Sequence, residues 1–482
     1  MLFNSLDFAI FLPIVFVLYW LIKQDYLKIQ NLLLVFASYI FYGWWDWRFL
    51  FLILFSTLVD YFVGIGLLNE ENPIKRKLLL FVSIIVNLGF LGVFKYYNFF
   101  IENFNTAFSF FGKEINIYTL SIILPVGISF YTFQTLSYSI DVYRKKMNPT
   151  KDFIAFAAFV SFFPQLVAGP IERATHLLPQ FYHKRIFDYN KAVDGCRQIL
   201  WGLFKKIVIA DNCAKYANLI FNNSDNYTGS ALILGALFFS FQIYGDFSGY
   251  SDIAIGTSRL FGFDLMKNFA FPYFSRDIAE FWRRWHISLS TWFRDYIYIP
   301  LGGSRCSLWK KIRNIFLIFV VSGFWHGANW TFIVWGFLNA VYFLPLMLAK
   351  KNRDNFETVA IGKFFPNIQE LFSMIITFSL TVFAWIFFRA KDLNHAFRYI
   401  SGIFSKSLFS IPNLYDQRSV LVLVITLFVF LFIEWIGRND EYAIEKIAIK
   451  THLIFRWSFY YLIMFSLFLF TGQEQQFIYF QF

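Results

Sequence analysis

The sequence predicts an all-α, polytopic integral membrane protein, and three observations carry that prediction. Of 482 residues, 58% are hydrophobic and 15% charged, whereas soluble domains run at about 45–50% and about 25%. Aromatic residues make up 23% of the chain, with 69 Phe, 27 Tyr and 15 Trp, more apolar side chain than a water-facing surface can hide. Many windows also hold roughly 20 mostly apolar residues, the length at which an α-helix crosses hydrocarbon with its backbone groups satisfied internally.

In chain order those windows fall at 8–22, 31–45, 49–68, 78–97, 119–140, 153–169, 195–211, 231–260, 312–349, 371–388, 420–437 and 458–471. The first begins after seven residues and lacks both a basic n-region and a small-residue cleavage site, so it reads as a retained helix. Lys and Arg gather on the cytoplasmic side of short loops. Lys75, Arg76 and Lys77, then Arg144, Lys145, Lys146 and Lys151, therefore mark inside loops, while 98–118 and 212–230 lie outside. By that count the chain starts outside, Arg438 to Arg456 is inside, and 473–482 is an extracytoplasmic tail. The basic stretch Arg389 to Lys406 fits this count poorly. With no repeat and no Pro/Gly linker, residues 1–482 read as a single membrane domain. The net charge of +12 belongs to membrane-facing loops rather than to nucleic acid. Cys196, Cys213 and Cys306 stand too far apart for a zinc site or a disulfide framework and read as packing residues.

The longest break in apolar sequence, 264–313, mixes aromatics with Arg276, Arg283, Arg284, Arg294, Arg305, Lys310, Lys311 and Arg313. It is too polar to span and too apolar for a free loop, which predicts an interfacial or re-entrant segment. One reading is an amphipathic anchor at headgroup level; the other is an arginine-lined cytoplasmic mouth for an anionic, phosphate-bearing acyl carrier. Two of the six histidines stand out: His286 in WRRWHIS within that segment, and His326 in SGFWHGANW inside the 312–349 run. Ionisable groups at membrane depth are expensive and point to function. Gly323, Gly327 and Ala328 strip side chains from the turn around His326, allowing close approach of a ligand or of another helix. A third cluster, FQIYGDFSGYSDIAIGTSRLFG, sets Asp246 and Asp252 among glycines in a run apolar enough to span. The expectation there is structural pairing with an arginine of 264–313. Phosphate-loop, dinucleotide-binding, HExxH and clustered His/Cys patterns do not occur, so no metal and no bound cofactor is expected.

LPVGISFYTFQTLSYSIDVYR, FFPQLVAGPIER, YGDFSGYSDIAIG, FWRRWHISLSTWFRDYIYIPLGGSR and SGFWHGANWTFIVWG, in this order, resemble the membrane-bound O-acyltransferase (MBOAT) family over nearly the whole chain. The closer likeness is to its bacterial branch of alginate and peptidoglycan O-acetyltransferase membrane subunits. The resemblance implies a ring of about 11 or 12 tilted transmembrane helices around a central tunnel, in the bacterial cytoplasmic (inner) membrane. It implies that His326 is the catalytic histidine, that His286 is the second histidine near the donor tunnel, and that Tyr479 in FIYFQF carries the acyl group, a buried aromatic cap being the plain alternative for this chain end. Acetyl-CoA would be the donor substrate, its phosphates meeting Arg276, Arg283, Arg284 and Arg294. A separately encoded, extracytoplasmic SGNH-type acetyltransferase would complete transfer to a cell-envelope or extracellular polysaccharide. D-alanyl transfer to teichoic acid, or a non-enzymatic polysaccharide or lipid transporter, is the alternative.

Overall fold

The computed structural model describes residues 1–110, 117–412, 414, 416–446, 452–470, 472, 475, 477 and 478. Among these residues every regular element is a helix. Among the described residues seven helical stretches are long and apolar enough to cross a membrane: Trp47–Leu68, Pro73–Phe110, Gly229–Leu260, Trp330–Leu348, Ile368–Arg389, Gln417–Ile436 and Leu453–Phe470. The protein is therefore a multi-pass membrane protein. Leu6–Leu21 and Leu27–Gly43 are apolar but shorter, at 16 and 17 residues.

Three expected windows are interrupted, each for a local reason. In 119–140 the helix begins only at Ile128, after Pro125 and a left-handed Gly127 (φ +74°). In 153–169 the helix Phe153–Ser161 stops before Pro164, which opens the short turn Phe163–Leu166. The 312–349 run is two helices, Leu308–His326 and Trp330–Leu348. Asn329 creates the second start, its side chain accepting from the Thr331 amide at 3.0 Å.

Residues fall into two units, Met1–Gly195 with Thr257–Met266, and Cys196–Gly256 with Lys267–Phe482. In the first, helices Leu50–Leu68, Pro73–Leu91 and Ile128–Tyr143 meet around Asp60, which is fully buried. Its carboxylate accepts from Ser83 Oγ (2.5 Å), Asn87 Nδ2 (2.8 Å) and Ser139 Oγ (2.7 Å). Asn87 Oδ1 in turn accepts from Ser56 and Thr135. One carboxylate, buried from solvent, thus satisfies donors from separate helices. Glu172 of the FFPQLVAGPIER motif plays a similar part: it accepts from the Met266 amide and pairs with His176 Nδ1 at 2.7 Å. That hydrogen bond holds the His176 imidazole above its usual pKa.

Replacing Asp60 by Ala would strand two hydroxyls and an amide among apolar side chains, and we expect about 2–4 kcal/mol of destabilisation. Thermal unfolding of the purified protein checks this: Asp60→Ala should melt several degrees low, with Asp60→Asn in between. A parent-like melting curve for Asp60→Ala would contradict the hub.

Candidate functional site

In the second unit residues 196–222, the part there of the helical run through Tyr189–Leu203, Phe204–Ala210 and Asp211–Asn222, lie against residues 229–256 of helix Gly229–Leu260 almost backbone to backbone. A Cβ on Gly202 would sit 2.6 Å from the Gly249 carbonyl, and one on Gly245 would sit 2.9 Å from the Lys205 carbonyl. The glycines of YGDFSGYSDIAIG are therefore needed for helix approach. That approach sets two lysines beside the two aspartates of the motif. Lys205 Nζ meets Asp252 at 2.6 Å, and Lys206 Nζ meets Asp246 at 2.9 Å and Asp211 at 2.8 Å. Gln198 adds a hydrogen bond to Asp252 at 2.9 Å. The expectation that arginines of 264–313 pair these aspartates is corrected: their partners are lysines of a π-helical turn, which the glycine contacts bring close.

Residues 264–313 form short pieces, among them Ile278–Arg284, Ile287–Phe293 and Arg294–Tyr298. Between the first two sits His286, buried, with left-handed backbone (φ 44°, ψ 55°) that a non-glycine residue adopts only when its surroundings impose it. What imposes it is Asn268. The Asn268 carbonyl takes the Ile287 amide at 2.9 Å, and its side-chain oxygen takes Ser288 Oγ at 2.9 Å and the Ser288 amide at 3.3 Å. Asn268 Nδ2 donates to Ser251 at 3.2 Å, which fixes the orientation of the amide. His286 Nδ1, 3.1 Å from that same amide oxygen, must then be the protonated nitrogen, so Nε2 is the acceptor of the ring. Burial pushes the imidazole pKa down to about 3, keeping it neutral near pH 7.

His326 ends helix Leu308–His326 and is buried between aromatic faces, with ring centroids 4.8 Å from Trp325, 5.2 Å from Trp335 and 5.3 Å from Phe388. Trp325 stands between the two histidines, its ring 6.1 Å from His286. The structure thus brings His286 and His326 to one aromatic cluster. The small residues of this turn serve helix packing: a Cβ on Gly323 would fall 2.2 Å from the Phe332 carbonyl, and one on Gly336 2.2 Å from the Phe319 carbonyl.

The arginines are placed differently from one another. Arg276 and Arg284 pair with the buried Glu280, at 3.1 Å and 2.8 Å, and Arg276 also reaches Glu370 at 3.3 Å. Arg283 donates to the carbonyls of Asn352 and Asn355 and lies over the Phe356 ring. These three tie the segment to 352–357. Arg294 is apart from them, with a side chain 58% exposed beside Asp295. Tyr479 lies outside the described residues, but its neighbours Phe477 and Ile478 are buried. Phe477 packs on Phe247 and Tyr250, with centroids at 6.2 Å and 4.9 Å, and Phe247 meets the His286 ring edge-on at 4.6 Å. Asn268 was missed by sequence reasoning: a lone Asn in LMKNFAF carries no spacing signal, and only its polarity within an apolar stretch marks it. Among the described residues no group of His, Cys, Asp and Glu is set to hold a metal.

The family model described as MBOAT, membrane-bound O-acyltransferase family, matches residues 150–388, a stretch that contains both histidines. The chain is 42% identical over 417 residues to the probable alginate O-acetylase AlgI of Pseudomonas aeruginosa, covering 86% of this chain and 77% of that one. It is 36% identical over 449 residues to the peptidoglycan O-acetyltransferase of Helicobacter pylori, covering 87% and 82%. The teichoic acid D-alanyltransferase of Bacillus subtilis is 27% identical over 299 residues, covering 57% and 71%.

A methyl group on Gly336 would meet backbone rather than a movable side chain. We expect Gly336→Ala to cost about 1–3 kcal/mol through separation of the two helices that bracket His326, read as a lower melting temperature. An unchanged melt would mean that the helices pack less closely than described.

Proposed function

The chain belongs to the membrane-bound O-acyltransferase family, and from that premise we propose that it moves an acetyl group from a cytoplasmic thioester, acetyl-CoA, toward a cell-envelope or extracellular polysaccharide of the alginate or peptidoglycan kind. It is an O-acyltransferase. The observation that carries the acetyl reading is the 36–42% identity to proteins named for O-acetylation, against 27% to a D-alanyltransferase over a shorter stretch.

In this reading the attacking group is a hydroxyl, from Tyr479 or from a partner protein. Its oxygen forms the new bond to the thioester carbonyl carbon as the C–S bond breaks, and the thiolate leaves with the hydroxyl proton. His326 takes that proton and passes it on; the last carbonyls of helix Leu308–His326 would stabilise the transient imidazolium. A hydroxyl with a pKa near 10 is a poor nucleophile without such a base. His286 is presented by Asn268 with Nε2 as acceptor, suited to receive a hydrogen bond from donor or nucleophile. Dry aromatic walls keep water from competing.

The proposal includes a ring of 11 or 12 tilted helices around a tunnel, residence in the bacterial inner membrane, and a separately encoded extracytoplasmic SGNH-type transferase that places the acetyl group on sugar. Three of the proposed phosphate-binding arginines already hold internal partners. Arg294, exposed beside a single aspartate, is the best placed of the four to meet the donor's phosphates.

Mass spectrometry of envelope polymers, scored for ester-linked acetyl, tests the reading. His326→Ala should lower acetylation by about 10²–10⁴-fold with normal membrane insertion, the usual worth of a general base. Unaltered acetylation in that variant would end the proposal. Asn268→Ala, which frees the His286 ring to change tautomer, should cost about two- to tenfold, the value of one hydrogen bond.

A further inference from the structure

Lys206 and Asp246 do more than neutralise each other. Lys206 Nζ donates to the Gln475 carbonyl at 3.1 Å, and Asp246 Oδ2 accepts from the Ile478 amide at 2.7 Å. Both side chains are buried, 6% and 2% exposed. The pair therefore offers one donor and one acceptor to one carbonyl and one amide of the same short stretch of backbone. Between these two points Phe477 is inserted against Phe247 and Tyr250, with 1% of its surface exposed. Phe247 carries the contact on to the His286 ring. Asp211 keeps Lys206 compensated whether or not the tail is present, so the lysine does not depend on the tail for its charge balance.

We propose that the buried Lys206–Asp246 pair is a receptor for the chain's own C-terminal segment, a latch that grips the Gln475 carbonyl and the Ile478 amide and holds Phe477 against Phe247, the neighbour of His286. Lys206 and Asp246 are positioning residues in this scheme. A pair serving only the core would need no backbone ligands, and charged groups at such depth are costly to retain. That the latch matters for acyl transfer rests on the function proposed above; that it holds the tail does not.

The test uses the full chain in membranes with Cys196 and Cys306 replaced by Ser, Cys213 retained as a buried reporter, and Ile478→Cys as the probe, labelled with a maleimide. In the parent, both thiols should be protected. Adding Asp246→Ala should raise labelling at 478 at least tenfold while Cys213 stays protected, and acetylation should fall by at least tenfold. Ile478→Pro provides a second route, since it removes the gripped N–H and leaves the ion pair intact: acetylation should fall as in Asp246→Ala, and the two substitutions together should do no further harm. Protection of residue 478 despite Asp246→Ala overturns the latch. So does equal exposure of Cys213, which would make the pair a core element, or undiminished tail protection with a strictly additive loss in the double variant. A released tail with full acetylation supports the latch and counts instead against a role of the tail in transfer.

Discussion

Among the described residues the buried charges at Asp60, Glu280, Asp252 and Lys206 have their partners built in beside them, and that constraint organises the structure from the helices inward. Asp60 collects three donors, Glu280 holds two guanidinium groups, Asp252 meets Lys205, and Lys206 sits between Asp211 and Asp246. An uncompensated ion at such depth would cost several kcal/mol. The clusters at Asp60, Asp252 and Asp246 join segments distant in sequence, so satisfying the charge there also fixes which helices are neighbours. Glycine makes this possible, because lysine and aspartate stems meet head to head only where backbones come close.

The same logic governs the histidines. His286 is kept neutral by burial, and a neutral amide, itself oriented by Ser251, chooses its tautomer. His326 is boxed by rings and ends a helix. Two imidazoles with different surroundings flank one tryptophan, which suits a reaction in which one ring moves a proton and the other only presents a hydrogen-bonding nitrogen.

How much of this was legible in sequence depends on the range of the force involved. Hydropathy gave the long spans, because crossing hydrocarbon demands a run of local apolar residues; Ile368–Arg389 and Gln417–Ile436 fall where the windows place them. Breaks were harder to read: the polar dip at His326 to Asn329 is only a few residues long inside the apolar run 312–349, yet a side-chain cap at Asn329 begins a new helix there. His286 and His326 were visible as costly residues in apolar surroundings. Asn268, Asp60 and the lysine partners of Asp246 and Asp252 were not, because hydrogen-bond partners 17 to 79 residues away leave no periodic trace. The arginines of 264–313 were conspicuous by composition, but composition does not distinguish a guanidinium waiting for phosphate from one already bound to Glu280.

The grip on Gln475 and Ile478 also has a consequence in time. The amide that Asp246 accepts lies 232 residues further along the chain. At a synthesis rate of about 5–20 residues per second, roughly 10–50 s separate the emergence of the two ends of that hydrogen bond from the ribosome. Throughout that interval Lys206 has Asp211 and Asp246 as partners, while the positions filled by the Gln475 carbonyl and the Ile478 amide wait for residues not yet made. The grip can close only once residues 475 and 478 have been made, so the two helices that carry Lys206 and Asp246 must pack and pair their charges before the carbonyl and the amide that they hold are available.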